Sequence, residues 1–291
     1  MQAEAVKATR RRTVWNVLRR NLSLTAGCLI LLCVVFTALF PIALVVLNSF
    51  KPHVAIVANP LSWPESFIPV NYSSAWSYAK FGIGFKNSII LAACTIVIVL
   101  FASTLGGYVL ATRRGKVVNL ALVYFMIVMT IPIQLFLFPL YYVMSYLKLV
   151  GTVVPISFIL AARNIPLALF LMRTFFLNVP KELEEAARID GANTGHVLWY
   201  VMAPVVSPGL LTVSVIVGLN AWNEFLITST FLQGEKNFTA TLMLRSMSGQ
   251  FGSDIGIMMA GAMILIAPVL IFFMITQRYF IDGLVSGSVK G

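Results

Sequence analysis

The sequence predicts an all-α, polytopic membrane protein with six transmembrane helices. Three observations carry this: the apolar residues come in long runs, charge is scarce and falls between the runs, and the basic residues are unevenly shared between alternate connections. Mean hydropathy is +0.91, and only 11% of residues are charged, where a soluble domain carries roughly a quarter. About 20 apolar residues are needed for a helix to cross about 30 Å of hydrocarbon. Six stretches satisfy this: 24–47, 85–112, 117–146, 154–177, 205–232 and 256–281. The first follows a basic segment, but it is too long for a signal-peptide core and has no small-x-small cleavage site after it, so it is read as a retained span.

The net charge of +11 would suggest nucleic acid on a soluble protein; between spans it reads as the positive-inside bias. With six spans both termini share a side. That side holds Lys7, Arg10, Arg11, Arg12, Arg19, Arg20, Arg113, Arg114, Lys116, Arg173, Lys181, Arg188, Arg278 and Lys290, which is 14 of 21 basic residues. Lys51, Lys80, Lys86, Lys148, Lys236 and Arg245 fall on the other side, and Arg163 falls inside a span. Both termini are therefore expected in the cytoplasm. The chain divides into a basic cytoplasmic arm (1–23), a transmembrane domain (24–281) and a short cytoplasmic tail (282–291). The domain includes a long external loop at 48–84, a second at 233–255 and a cytoplasmic loop at 178–204. Cys28, Cys33 and Cys94 lie inside spans without metal-ligand spacing and read as inert buried thiols.

The loop 178–204 carries the densest charge in the chain, KELEEAARIDGANTG at 181–195. Pro180 suits a helix start. Lys181 with Glu185, and Glu184 with Arg188, stand at i,i+4 on a solvated face, while Leu183, Ala186 and Ala187 form a small, mildly apolar face. Gly191 permits a left-handed stop, Asn193 or Thr194 can cap a second short helix, and Pro204 ends it. The pattern predicts a helix–turn–helix hairpin whose alanines admit a close neighbour; a solvated connector without a partner is the alternative.

Polar residues inside spans are costly in lipid and face a cavity or another helix. Asn220, Asn223 and Glu224 lie within about one helical turn of span five and serve either as a wall of a solute path or as helix–helix contacts. Gln134 stands between Pro132 and Pro139, which free backbone carbonyls where a cavity is lined. Tyr141 suits stacking on a sugar ring, or anchoring at the interface. Arg163, near mid-membrane beside Asn164 and Pro166, is either a structural partner of Glu224 or of a second chain, or an electropositive spot in a path for an acidic sugar or phosphate ester. No grouping supports catalysis or a metal site, and no cofactor is implied. Gly115-Lys116 lacks the upstream glycine and following Ser/Thr of a phosphate loop, so any ATP energy must come from another subunit.

Glu185-Ala186-Ala187, Asp190-Gly191-Ala192, then Val197, Val201 and Pro204 at matching spacing, resemble the EAA loop of the membrane permease subunits of bacterial ATP-binding-cassette importers. NSFKP (48–52), the IP…PLY pattern (131–141), PKELEEAARIDGA (180–192), AWNEF (221–225) and QRYFIDGLVSGSVKG (277–291) extend the likeness over nearly the whole chain after the basic arm. They are most similar to the carbohydrate branch, of maltose/glycerol-phosphate type, and within it to the second six-span permease. The resemblance implies the type I importer permease fold and a bacterial inner-membrane location. It implies as partners a second permease forming a heterodimer, two cytoplasmic ATPase subunits, an external solute-binding protein and the lipid bilayer, and no nucleic acid. It further implies that Glu185, Ala186, Ala187, Asp190 and Gly191 couple to an ATPase. Gly195, Leu198 and Tyr200 depart from the residues usual at their positions and bear on the second helix of the loop. A self-contained secondary transporter or channel is the rival reading, with Glu224 as its ion-coupling residue; an integral membrane enzyme has no motif behind it.

Overall fold

The computed structural model describes residues 2–65, 67, 69–251 and 254–288, with side chains over 24–65, 67, 69–249 and 254–277. The side chains of the basic arm, those of the tail motif beyond Gln277, and residues 289–291 lie outside the described residues. Helices occupy most of the rest: α1 (Gln2–Asn48), α2 (His53–Ala58), α3 (Val70–Tyr78), α4 (Phe81–Thr112), α5 (Lys116–Thr130), α6 (Leu137–Tyr146), α7 (Val153–Leu177), α8 (Lys181–Ile189), α9 (Thr194–His196), α10 (Ala203–Val205), α11 (Ser207–Trp222), α12 (Leu226–Phe231), α13 (Ala240–Phe251) and α14 (Ile255–Ser288). Four of them are long and apolar enough to cross a membrane alone: α1 over Leu24–Asn48, α4, α7 and α14 over Ile255–Gln277. The count is six if each of two sharply bent helix pairs forms one span. All six apolar runs fall on these elements.

The bent spans follow from proline. α5 and α6 meet at 88°; Pro132 pushes Ile131 to an extended conformation (ψ 121°) and offers no N–H to continue the ladder. A 3-10 turn over Ile133–Phe136 re-enters helix. α5, with 15 residues, is only about 22 Å long, so neither arm crosses the hydrocarbon by itself. The second bend, 77° between Thr194–Val205 and Ser207–Trp222, falls between Pro204 and Pro208. The fifth run was expected to stay helical from 205 to 232. Instead α11 stops at Trp222 and a new short helix begins at Leu226, because Glu224 caps that helix rather than continuing the first (below).

α4 and α7 pack along most of their lengths at the centre, with α11 against both. Gly107 sets their separation: a Cβ there would lie 2.8 Å from Met172 Cβ and 3.0 Å from the Arg173 amide nitrogen, so only glycine lets the backbones approach this closely. α1 lies outside this core and touches α14, with Leu29, Ile30 and Leu32 facing outward. Cys28 and Cys33 are consequently exposed, not buried as expected, and Cys94 is half-buried on α4. The segment 48–84 folds as α2 and α3 against α14, with Lys51 2% exposed and its Nζ donating to Pro60 O and Ser62 Oγ, both at 3.3 Å.

Candidate functional site

Two places concentrate the polar chemistry. The first is a cleft of about 1060 Å³ framed by the α5–α6 elbow and α7. Its wall is mainly apolar, and its polar lining consists of Gln134, Arg163, Asn164 and Asn220. Pro166 in α7 leaves the Ala162 carbonyl without its helical N–H donor, and Ala162 also lines the cleft. Asn164 is buried; its Nδ2 donates to Leu160 O at 2.8 Å and its Oδ1 accepts from Asn220 Nδ2 at 2.9 Å. These amides tie α7 to α11 and set polar groups at the cleft edge.

Arg163 Nη1 donates to Glu224 Oε2 at 2.8 Å. The arginine side chain is half exposed to the cleft, while the glutamate is 6% exposed. Glu224 Oε1 accepts from the Ile227 amide at 2.8 Å, and its backbone carbonyl accepts from Thr228 Oγ1 and Thr241 Oγ1. One buried carboxylate therefore caps α12, satisfying an orphan donor of its first turn, and neutralises the arginine. The expected pairing of Arg163 with Glu224 is present, and the half-exposed arginine also lines the cleft.

Three of the six residues expected on a solute path line the cleft: Gln134, Arg163 and Asn220. Tyr141 does not. Its ring packs on Phe231 with centroids 5.7 Å apart, and its hydroxyl accepts from Gln233 Nε2 at 3.3 Å. Asn223 folds back, Nδ2 to Leu219 O at 2.9 Å, and Glu224 reaches the cleft only through Arg163. The break after Trp222 separates the last two from Asn220, which one uninterrupted helix would have kept together.

The second place is the hairpin. α8 runs Lys181–Ile189 after Pro180; Gly191 takes φ +86°, and Asn193 Oδ1 accepts the His196 amide at 2.9 Å, so Asn193 is the cap. A π-helical turn follows over Val197–Met202 and turns Val197, Leu198 and Met202 into a buried cluster with Tyr108, Met172 and Phe176. Glu185, Ala186, Asp190 and Gly191 are exposed, while Ala187 is half-buried and packs with Ala192 against that cluster. The small-residue face therefore splits: Ala187 meets this chain's own body and Ala186 faces outward. Leu198 is an internal packing residue, whereas Tyr200 is exposed and stacks on His196 at 5.4 Å.

Of the two i,i+4 pairs, Glu184–Arg188 closes at 2.7 Å; Lys181–Glu185 does not appear among the ion pairs of the described residues. The hydrogen bonds that Arg188 donates to Glu184 hold its guanidinium above its ordinary range, against a smaller opposing effect of desolvation. Tyr108, 3% exposed near the end of α4, donates its hydroxyl to Glu184 Oε1 at 2.9 Å. Sequence reading missed Tyr108. Its only signal was a tyrosine one turn before the end of an apolar run, with nothing local to name its partner.

A bundle of apolar helices broken at prolines around an open cleft, with an amphipathic hairpin fixed to one end, defines a multi-pass membrane protein. The chain belongs to the family of binding-protein-dependent transport system inner membrane components, whose model matches residues 103–284. The arabinooligosaccharides transport system permease protein AraQ of Halalkalibacterium halodurans is 33% identical over 262 residues, covering 89% of this chain and 93% of that one. The melibiose/raffinose/stachyose import permease protein MelC of Bacillus subtilis is 32% identical, covering 76% and 80%. The fold matches a chain in the crystal structure of a bacterial ABC transporter involved in the import of the acidic polysaccharide alginate, with TM-score 0.72, 22% identity and coverage of 88% and 95%.

Proposed function

We propose that the chain is the transmembrane subunit of an ATP-driven, binding-protein-dependent carbohydrate importer. It forms half of the solute path with a second permease, and it receives the ATPase stroke at the hairpin 181–204. The observation that carries this reading is the hairpin itself: the exposed face of Glu185, Ala186, Asp190 and Gly191 stands on a second segment sunk into the α4–α7 core. A push on such a surface moves the helices as a body, in rigid-body switching. In this reading both termini and the hairpin are cytoplasmic, the segments 48–84 and 233–255 face a solute-binding protein, and ATP hydrolysis belongs to the partner subunits. Carbohydrate as substrate draws support from the relatives named for arabinooligosaccharides and for melibiose, raffinose and stachyose. Gln134, Asn220 and the free N–H groups of Arg163 would serve sugar hydroxyls along the cleft. Because Glu224 neutralises Arg163, the cleft favours an uncharged sugar over an acidic one.

The test is co-purification from detergent. Capture of an ATPase subunit by the wild-type chain, lost on combining Glu185→Ala with Gly191→Pro, is the expected result. Transport by the chain alone under a proton or sodium gradient would overturn the reading in favour of a secondary transporter.

A further inference from the structure

α4 differs from every other long helix. α1, α7 and α14 each contain an internal proline, at Pro41, Pro166 and Pro268, and the two remaining apolar pairs are sharply bent. α4 runs 32 residues from Phe81 to Thr112 with neither break nor proline. Sharp kinks arise where the i→i−4 ladder is interrupted, so among the described residues α4 is the long helix that traverses the molecule without a proline or a sharp bend.

Both its ends are tied by side chains to segments distant in sequence. At the hairpin end, Tyr108 donates to Glu184 on α8 at 2.9 Å, and Arg188 donates to the same carboxylate oxygen at 2.7 Å. Arg173 Nε donates to Leu110 O at 3.1 Å and fastens the last turn of α4 to α7. At the opposite end, both protons of the Asn87 amide are used, by Lys236 O and Phe238 O, each at 2.9 Å. Ser88 Oγ accepts the Ala240 amide at 3.0 Å and so caps α13, and Lys80 pairs with Glu235. A Cβ at Gly84 would sit 2.9 Å from Ala240 Cα, which shows how closely this segment is drawn against α4. Asn87 and Ser88 are buried, so these bonds are shielded from water and costly to leave unmade. From Ser88 to Tyr108 the helix rises about 30 Å, about the thickness of the hydrocarbon.

We propose that α4 is the rod joining the ATPase-facing hairpin to the segment 235–240 on the far side of the membrane, with Tyr108 as its positioning residue at one end and Asn87 at the other. The inference rests on the hairpin reading given above. A displacement of α8 reaches α4 through the Tyr108–Glu184 clasp, and α4 carries the loop and the start of α13 with it. The same rod returns a signal from the loop to the hairpin, since coupling between two sites is reciprocal.

The experiment is hydrogen exchange on the detergent-solubilised complex with its ATPase subunits, with and without ATP and vanadate. In the wild type, nucleotide trapping should change protection both in 181–196 and in 235–240. Tyr108→Phe removes one hydroxyl and keeps the ring packed on Phe176. It should leave the hairpin response intact and reduce the loop response about fivefold or more, within the usual range of inter-site coupling. Asn87→Ala should do the same, and the double variant should lose no more than either alone, because both cut one connection. An unchanged loop response in both single variants, additive losses, or a wild type whose hairpin responds while its loop does not, overturns the rod. If the wild-type hairpin itself shows no nucleotide response, the coupling reading falls first, and the rod with it. A purely structural role for Tyr108 would lower the melting temperature and leave the ratio of loop to hairpin response unchanged, which also overturns the proposal.

Discussion

The cleft and the hairpin each hold one Arg–Glu pair, and the two pairs do different work. Glu184 and Arg188 are four residues apart on one helix, the arginine 42% exposed and the glutamate 19%, with the Tyr108 hydroxyl as a second donor to the carboxylate. Arg163 and Glu224 are 61 residues apart; their bond holds α7 to the break between α11 and α12, and the acid is almost wholly buried. Exposed pairs contribute little because water already solvates both ions. A buried carboxylate stripped of its partner has no such fallback. The cleft pair is a long-range tie between helices, and the hairpin pair is local to α8 with Tyr108 backing its acid, so damage to the two regions should differ in size and in salt dependence.

The largest effect should come from Arg163→Met. Glu224 would then keep only the Ile227 amide, and the loss should be about 3 kcal/mol in a mixed-micelle unfolding titration, the low end for a broken buried pair because Arg163 itself is half exposed. Adding Glu224→Gln should recover part of it, since removing both charges costs less than stranding one. A double variant as unstable as the single would mean that the packing of the Arg163 stem, not the stranded charge, matters. Next comes Gly107→Ala, which forces α4 away from Met172 and Arg173 and should cost about 2 kcal/mol by overpacking. Tolerance of alanine without loss would show that the α4–α7 contact is looser than drawn.

The local region should yield less. Gly191→Ala places a Cβ at φ +86°, with no atom in the way, so the strain is conformational alone. The cost should be about 1 kcal/mol, read best as weakened ATPase capture rather than a shifted global melt. Gly191→Asn, which tolerates this conformation better, should retain most of the capture; if alanine and asparagine behave alike, the turn is not under left-handed strain.

How much of this was legible from sequence follows the same division. The hairpin was readable because each of its parts is decided within a few residues: Pro180 before α8, Gly191 at the stop, Asn193 at the cap. The long helices were readable from apolar run length. Pro132 and Pro139 stand inside a run that reads as one span, because a proline's presence marks a kink without giving its angle. The break after Trp222 was invisible, since Glu224 leaves the helix for a cap and for an arginine in another span. Asn220 and Asn223 parted company for the same reason. Tyr108 is silent in the sequence because its partner lies 76 residues further on.

The smallest effect should come from Arg188→Met. It deletes the exposed half of the hairpin pair while Tyr108 still donates to Glu184, so the carboxylate is not stranded. Stability should fall by about 0.5 kcal/mol or less, the usual worth of an i,i+4 pair. That small difference should vanish at about 1 M salt, where the screening length shrinks to about 3 Å. The Arg163→Met deficit should persist in the same salt, because its stranded acid is out of reach of solvent ions. Equal salt sensitivity in the two variants would erase the distinction between the regions. A loss from Arg188→Met as large as that from Arg163→Met would place the clasp at α8, not the cleft pair, among the ties that hold the bundle together.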